Sequence, residues 1–458
     1  MFCITVMTLF LCLLIIACTA FCLYRKLNPQ GVLLLAGLLM LVLALSVNKY
    51  SIPLSNSTGS LVFDLVKIVE ETFLSNLVRA GFMIMAIGGY VAFMNQIKAT
   101  NALVYIALKP LHIFRRYPNI AAIVTIPIGQ LLFITTPSAS GLGLLLVASI
   151  YPILVGLGVS RLSALSVIAA ATLFDQGPGS ANTALAAELI GKTNVEYFIS
   201  DQLPLVLPTS LVVMGLIFFN NRFFDRKCRE ESYICNMDIE RPSVPVYFAI
   251  LPVLPLTILV LFSSFVNVFD VAITLNTTTA MLFSVLFALI CVSFHTKNIK
   301  ESFQLFNGFL KGMGNVFSNV VTLIVASEIF SKGLVALGFI DILIDYSSHI
   351  GLSATVVTAI FALIIFGAAM LMGSGNAAFF SFGPLLPAIA IKLSIPASAL
   401  VLPLQLAASM GRAASPIAGV IVAIAGVAGI SPIELAKRNT LPLIGGILFL
   451  LLYHLVVG

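Results

Sequence analysis

Two kinds of apolar run alternate along this chain. A helix needs about 20 apolar residues to cross a bilayer, and uninterrupted runs that read as spans lie at 2–24, 31–47, 81–93, 203–219, 247–266, 278–294, 316–329 and 441–457. Other runs break before they get across. The stretches 120–159 and 354–392 each hold two apolar arms around a small polar tip, Ser138-Ala139-Ser140-Gly141 in the first and Gly373-Ser374-Gly375-Asn376 in the second. Non-helical backbone survives at membrane depth only inside protein or beside a cavity, so both stretches predict re-entrant hairpins. The stretches 162–190 and 397–427 are apolar at both ends but interrupted at 175–183 (DQGPGSANT) and 411–416 (GRAASP). Proline removes a helix hydrogen bond and glycine loosens its neighbours, which predicts two helices broken at mid-membrane. Segments 61–79 and 101–117 mix charge and hydrophobes at helical spacing and read as interfacial amphipathic helices.

This order of elements occurs twice. Tyr151-Pro152 and Leu386-Pro387 follow their tips 235 positions apart, and Pro178/Pro416, Glu196/Glu434 and Pro204/Pro442 recur at 238. An internal duplication follows, with a first repeat at 1–221, a linker at 222–246 and a second repeat at 247–458. Each repeat makes an odd number of crossings, so the second runs upside down relative to the first. Inverted-topology repeats with paired interrupted helices mark secondary transporters, whose substrate and ions bind near the midplane.

Composition agrees. The 458 residues are 60% hydrophobic and 9% charged, against about 45–50% and about 25% in soluble domains. The chain is therefore an all-α polytopic membrane protein. Its net charge of +6 is read by location and gives no sign of nucleic-acid binding. Seventeen of the 24 Lys and Arg residues fall on the connections 25–30, 96–118, 159–163, 220–246, 295–315 and 428–440. Basic loops stay in the cytoplasm. That places both termini outside, the first hairpin entering from the cytoplasm and the second from outside. No Lys or Arg precedes the run at 2–24, so it reads as a retained span rather than a signal peptide. The seven cysteines (Cys3, Cys12, Cys18, Cys22, Cys228, Cys235 and Cys291) show neither a disulfide framework nor zinc spacing and read as free thiols.

Two tips and two breaks should meet at the centre of such a fold. Helix N-termini there attract anions, and unwound carbonyls attract cations. Ser138, Ser140, Ser374 and Asn376 on the tips, with Ser180 and Asn182 in the first break, are suited to a carboxylate or to Na⁺. Gly141, Gly373 and Gly375 let backbone approach a ligand, although small residues also serve tight helix packing. Arg412, beside Ser409, Ser415 and Pro416, is an ionisable group inside a span and therefore a functional candidate. It pairs either with a substrate carboxylate or with Asp175. Asp175, three residues before Pro178, alternatively carries a coupling proton. Glu328 and Lys332 are four apart on a helix and satisfy each other. His112, His295, His349 and His454 fall at span edges. The chain has no phosphate-cradling motif, no Cys/His cluster and no catalytic triad, which argues against ATP-driven transport by this chain alone and against an enzyme. No cofactor is implied beyond Na⁺ or H⁺ as a coupling ion.

Gly373-Ser374-Gly375-Asn376-Ala377 with Phe380, the run 408–420 (ASMGRAASPIAGV), 138–145 (SASGLGLL), Gly158-Val159-Ser160-Arg161, and Ile430-Ser431-Pro432-Ile433-Glu434 together resemble the anaerobic C4-dicarboxylate transporters of the DcuC type. The match runs in order over most of the chain. The resemblance implies membership of the ion transporter superfamily and a homodimer whose scaffold helices hold mobile hairpin-bearing parts that move elevator-fashion. It implies exchange, efflux or uptake of succinate, fumarate, malate or aspartate across a bacterial inner membrane. The alternatives on the same fold are a monocarboxylate or amino-acid carrier, or Na⁺/H⁺ exchange. An anionic substrate makes Arg412 useful, whereas a cationic one is repelled by it.

Overall fold

The computed structural model describes residues 2–25, 27–47, 54–109, 117–225, 241–263, 275–339, 342 and 353–457. All regular structure among them is helical. Nine of the described helices are long and apolar enough to cross a membrane, and the chain is a multi-pass membrane protein. The middle of the linker, 226–240, with Cys228 and Cys235, lies outside the described residues, as do His112 and His349. Cys12, Cys18, Cys22 and Cys291 are free thiols.

Two long helices, Leu61–Gln96 and Ile299–Ala336, form a frame. Each carries one π-turn, at Leu77–Gly81 and at Phe317–Val321. Here the structure departs from the sequence pattern, which predicts an interfacial helix at 61–79 apart from the span at 81–93. The two are continuous because the polar groups of 61–79 find partners in the protein. Asp64 accepts from the hydroxyls of Ser57 and Thr58, each at 2.7 Å, and Asn76 Nδ2 donates to Glu328 at 2.7 Å. The connection assigned to 295–315 is likewise mostly helix. Asn298 caps it by accepting from the Glu301 N–H, 3.3 Å away.

The two frame helices run antiparallel. Lys332 donates to Thr72 Oγ1 at 2.7 Å and Asn76 reaches Glu328, while Gly88 faces Val316, Ala92 faces Gly312 and Gln96 faces Gly308. Between helices in lipid there is no large hydrophobic drive to associate, so close approach through small residues carries the packing. A β-carbon on Gly312 would lie 2.6 Å from that of Ala92 and 2.9 Å from the Gly88 carbonyl oxygen. Any larger side chain would push the frame apart.

Helix is interrupted at both tips and at both Pro/Gly breaks. The first hairpin has arms Pro118–Thr135 and Ala139–Gly156, and the second has Ala354–Met372 followed by Gly375–Phe382 and Leu386–Lys392. The first broken helix is Arg161–Ala171 plus Ala181–Ile190, and the second is Ala397–Ala413 plus Gly419–Ala428. Their packing follows one scheme in both halves. The leading arm of each hairpin packs on the first piece of the broken helix that follows it: Gly129 lies against Ala171, and Gly411 lies against Phe366 and Ala369. The return arm crosses to the second piece of the other broken helix. Gly143 lies against Val420 and Ile424, and Gly383 lies against Leu185 and Leu189. This exchange carries each tip towards both interruptions. At span edges, the His295 ring packs on Phe248 with centroids 5.3 Å apart, and His454 bonds the Ala399 carbonyl at 3.0 Å.

Candidate functional site

The first break is an unwound segment, 172–180, organised by its own side chains. Ser180 stands at the N-cap of Ala181–Ile190, where an oxygen side chain satisfies orphan amides. Its Oγ accepts from the N–H of Asn182 at 3.1 Å and of Thr183 at 3.4 Å, and donates to Asp175 Oδ1 at 2.6 Å. Asn182 Nδ2 donates to Asp175 Oδ2 at 3.2 Å. Asp175 is thus buried, with neutral donors on both carboxylate oxygens. The Pro178 carbonyl accepts from Asn194 Nδ2 at 3.1 Å, which pins the turn to the following helix.

The tip of the second hairpin closes over this break. Gly373 ends the leading arm at φ +69°, a left-handed conformation that glycine adopts without strain. Ser374 caps the next helix by accepting from the Ala377 N–H at 3.1 Å. Gly375 lies so close to the second broken helix that an added β-carbon would sit 2.8 Å from the Ala408 carbonyl oxygen. Asn376 Oδ1 then accepts the other N–H of Asn182 Nδ2 at 3.2 Å. Asn182 and Asn376 each lie in the first turn of their own helix. The bond therefore brings two helix N-termini together. Each end carries unpaired amide groups and a partial positive charge.

Arg412 sits at the last turn of Ala397–Ala413 and is buried. Its Nη2 donates to the carbonyls of Thr172 and Leu173, and its guanidinium lies 5.7 Å from the centre of the Phe133 ring on the first hairpin. It reaches the first break, as the sequence suggests, but through backbone carbonyls. No ion pair joins Arg412 to Asp175, both of which are among the described residues. The carboxylate is instead held by Ser180 and Asn182.

The first hairpin tip and the second break form a matching region. Ser138 stands at the N-cap of Ala139–Ser149 without a side-chain cap bond, and a β-carbon on Gly141 would lie 2.9 Å from Ser138 Oγ. Ser140 is exposed and points its Oγ at Gly419, the first residue of the second piece of the second broken helix. Ser415 is buried and its Oγ accepts from the Ile417 N–H at 3.3 Å, while Pro416 between them is half-buried. No described side-chain bond ties Ser138, Ser140 or Ser415 to the Asp175–Asn376 network.

Three residues that the sequence pattern does not single out complete that network. Gln405 Nε2 donates to the Asp175 carbonyl at 3.4 Å, and its Oε1 accepts from Tyr197 at 2.7 Å and from Gln202 at 3.1 Å. Gln202 in turn exchanges hydrogen bonds with Thr183 and accepts from the Gly177 N–H at 3.2 Å. The one signal, for Gln405 alone, was a lone amide within a largely apolar helix. Among the described residues, Asn182 Oδ1, Gln176 Oε1 and Ser409 Oγ are buried without a hydrogen-bond partner. Buried polar atoms are nearly always paired. A site with unpaired oxygens, a carboxylate and two converging helix N-termini is chemically suited to an anion, with a hard cation or a proton on its oxygens.

Residues 7–457 match the family described as DcuC, C4-dicarboxylate anaerobic carrier. The anaerobic C4-dicarboxylate transporter DcuC of Escherichia coli (strain K12) is 30% identical over 425 residues, covering 93% of this chain and 91% of that protein. The probable anaerobic C4-dicarboxylate transporter DcuC of Vibrio cholerae is 30% identical over 436 residues, covering 94% and 93%. Among solved structures, the YdaH transporter of Alcanivorax borkumensis superposes with a TM-score of 0.63 at 13% identity, over 93% of this chain and 98% of that one. MtrF of Neisseria gonorrhoeae, from a class of antimetabolite efflux pumps, gives 0.64 at 12% identity, over 95% and 97%. At those identities the likeness concerns the fold.

Proposed function

Because this chain belongs to the DcuC family of C4-dicarboxylate carriers, we propose that it is a secondary transporter, not an enzyme, and that it moves a C4-dicarboxylate such as succinate, fumarate, malate or aspartate across a bacterial inner membrane. The observation that carries the site is the Asn182–Asn376 bond, which joins two helix N-termini at the meeting point of a break and a hairpin tip. In this reading the first-turn amides, Asn182, Asn376, Ser374 and the unpaired Ser409 hydroxyl receive one carboxylate, and Ser180 and Gly375 shape the pocket. Arg412 offsets charge at the same break, and Asp175 with the turn at Pro178 and Gly373 holds the coupling cation, Na⁺ or H⁺. Ser138, Ser140 and Gly141 of the first tip, with Ser415 and Pro416 of the second break, serve the second carboxylate or the alternate state.

The antiparallel frame helices and the twice-used packing scheme support two inverted repeats. In this reading the hairpins and broken helices slide elevator-fashion on the frame, within a homodimer. Transport then proceeds by exchange of dicarboxylates or by cation coupling, with both termini outside.

Counterflow tests this reading. Purified protein in liposomes preloaded with unlabelled succinate should take up labelled succinate in a saturable manner. Aspartate should compete, whereas butyrate and arginine should not. No uptake, or competition by butyrate or arginine, would assign the fold to a different substrate.

A further inference from the structure

A second cluster of charge lies away from the tips. Arg79, on the π-turn of Leu61–Gln96, forms an ion pair with Glu188 on Ala181–Ile190. Lys332 pairs with Glu328 at 3.1 Å on the other frame helix, where Asn76 and Thr72 brace the two groups. All four charged groups line one cavity of about 280 Å³ between the frame and the segment that carries the first break and the second hairpin. Charges inside helices long and apolar enough to cross a membrane are costly and are kept where they have a task.

The two acidic groups are placed differently. Glu328 and both of its partners, Lys332 and Asn76, lie on the paired frame helices. Glu188 lies six residues beyond Asn182, on the same helix, while its cation belongs to the frame. The neighbouring elements bring little else that titrates. The hairpin residues Pro384, Pro387 and Ala388 are uncharged, and Phe82–Gln96 and Gly375–Phe382 hold no charged residue. Lys192 is paired with Asp201 at 2.7 Å, Glu196 lies past the helix end, and Arg412 faces Thr172.

We propose that Glu188 is a proton-binding site that couples proton movement to transport. This inference rests on the reading of the chain as a dicarboxylate carrier whose breaks and tips move against the frame. While Glu188 faces Arg79, the ion pair favours the ionised carboxylate. When the helix slides, Arg79 stays behind. A carboxylate left in a poorly solvated cavity without its cation, and with Glu328 nearby, takes up a proton. The return stroke restores the pair and releases the proton on the other side. Asp175 keeps its partners through this movement, since Ser180 and Asn182 travel with it, so a coupling proton belongs to Glu188 and the Asp175 site is left to Na⁺. In the paired state the side chain of Glu188 is 17% exposed and that of Arg79 53%, so the cavity mouth gives the released proton a way out.

The test uses the full-length protein in liposomes, measuring counterflow without a gradient and succinate accumulation driven by a proton gradient. A gradient of about one pH unit supports roughly tenfold accumulation per proton carried. Wild type should show both activities. Glu188→Gln should keep counterflow and lose accumulation, whereas Glu328→Gln should keep both. Driven accumulation by Glu188→Gln at the wild-type level overturns the inference. So does wild-type counterflow without any response to a proton gradient, which leaves the carrier reading intact. Absence of wild-type counterflow overturns the carrier reading, and this inference with it. If Glu188→Gln does not fold, Arg79→Gln decides. Without its cation Glu188 should hold its proton to higher pH, moving the pH midpoint of driven uptake upward, and an unchanged midpoint overturns the assignment.

Discussion

Arg412 donates from Nη2 to the carbonyl oxygen of Thr172 at 2.5 Å and to that of Leu173 at 3.2 Å. A guanidinium from the second half of the chain thereby holds the C-terminal end of a helix piece in the first half. Cations are favourable at helix C-termini because the aligned peptide dipoles leave partial negative charge there. The bond also satisfies carbonyls that the break would leave unpaired.

Under the proposed function Arg412 has a second task, at the substrate, and replacing it should reveal both. Arg412→Ala should lower the thermal unfolding midpoint of the ligand-free protein in detergent, since an unpaired buried polar group costs about 1–3 kcal/mol. It should also abolish the upward shift produced by succinate. Arg412→Lys should recover part of the first loss and little of the second, because an ammonium lacks the planar fork of guanidinium. A full succinate shift in the alanine variant would confine Arg412 to the helix end.

The Asn182–Asn376 bond predicts energetic coupling between the first break and the second hairpin tip. Succinate affinities of Asn182→Ala, Asn376→Ala and the double variant should be non-additive by about 0.5–3 kcal/mol, the range for groups in direct contact. Additive losses, measured by the same titration, would mean that the two helix ends act on the ligand independently.

Two glycine substitutions should separate site from frame. Gly375→Ala places a methyl group 2.8 Å from the Ala408 carbonyl oxygen and must displace the tip. Counterflow should fall sharply while most of the thermal stability remains. Gly312→Val forces apart the frame helices at Ala92 and Gly88. It should lower stability by about 1–3 kcal/mol, as overpacking does, with transport lost only in proportion to folded protein.

Membrane orientation is open to cysteine labelling. Asn56 and Lys297 are both exposed, Asn56 ahead of the first frame helix and Lys297 ahead of the second. In a background without native cysteines, Asn56→Cys should react with an impermeant thiol reagent in intact cells. Lys297→Cys should react only after permeabilisation. The reverse pattern would invert the topology drawn from the basic loops.

The hairpins and broken helices were legible because lipid leaves few choices for a short apolar arm beside a Gly/Ser/Asn tip or a Pro/Gly interruption. The unpaired backbone must be buried, and the order of elements tells which stretches do it. The long frame helices were not legible as continuous. Asp64, Lys67, Glu70 and Glu71 look interfacial along the chain, and only the fold shows Asp64 bonded to Ser57 and Thr58 and Asn76 bonded to Glu328.

At the site, sequence by itself determined which residue types could do chemistry in an apolar chain. Asp175, Ser180, Asn182, Asn376 and Arg412 stand out because polar groups at that depth are costly and need a reason. The tertiary structure decided their partners. It gave the Asp175 carboxylate to Ser180 and Asn182, turned Arg412 to the Thr172 carbonyl, and recruited Gln202 and Gln405, whose lone amides carry no pattern along the chain. The physical reason is that periodicity fixes local backbone shape. Hydrogen bonds between residues some 200 positions apart depend on how hairpin arms and helix pieces exchange between the halves, and that is set by packing in three dimensions.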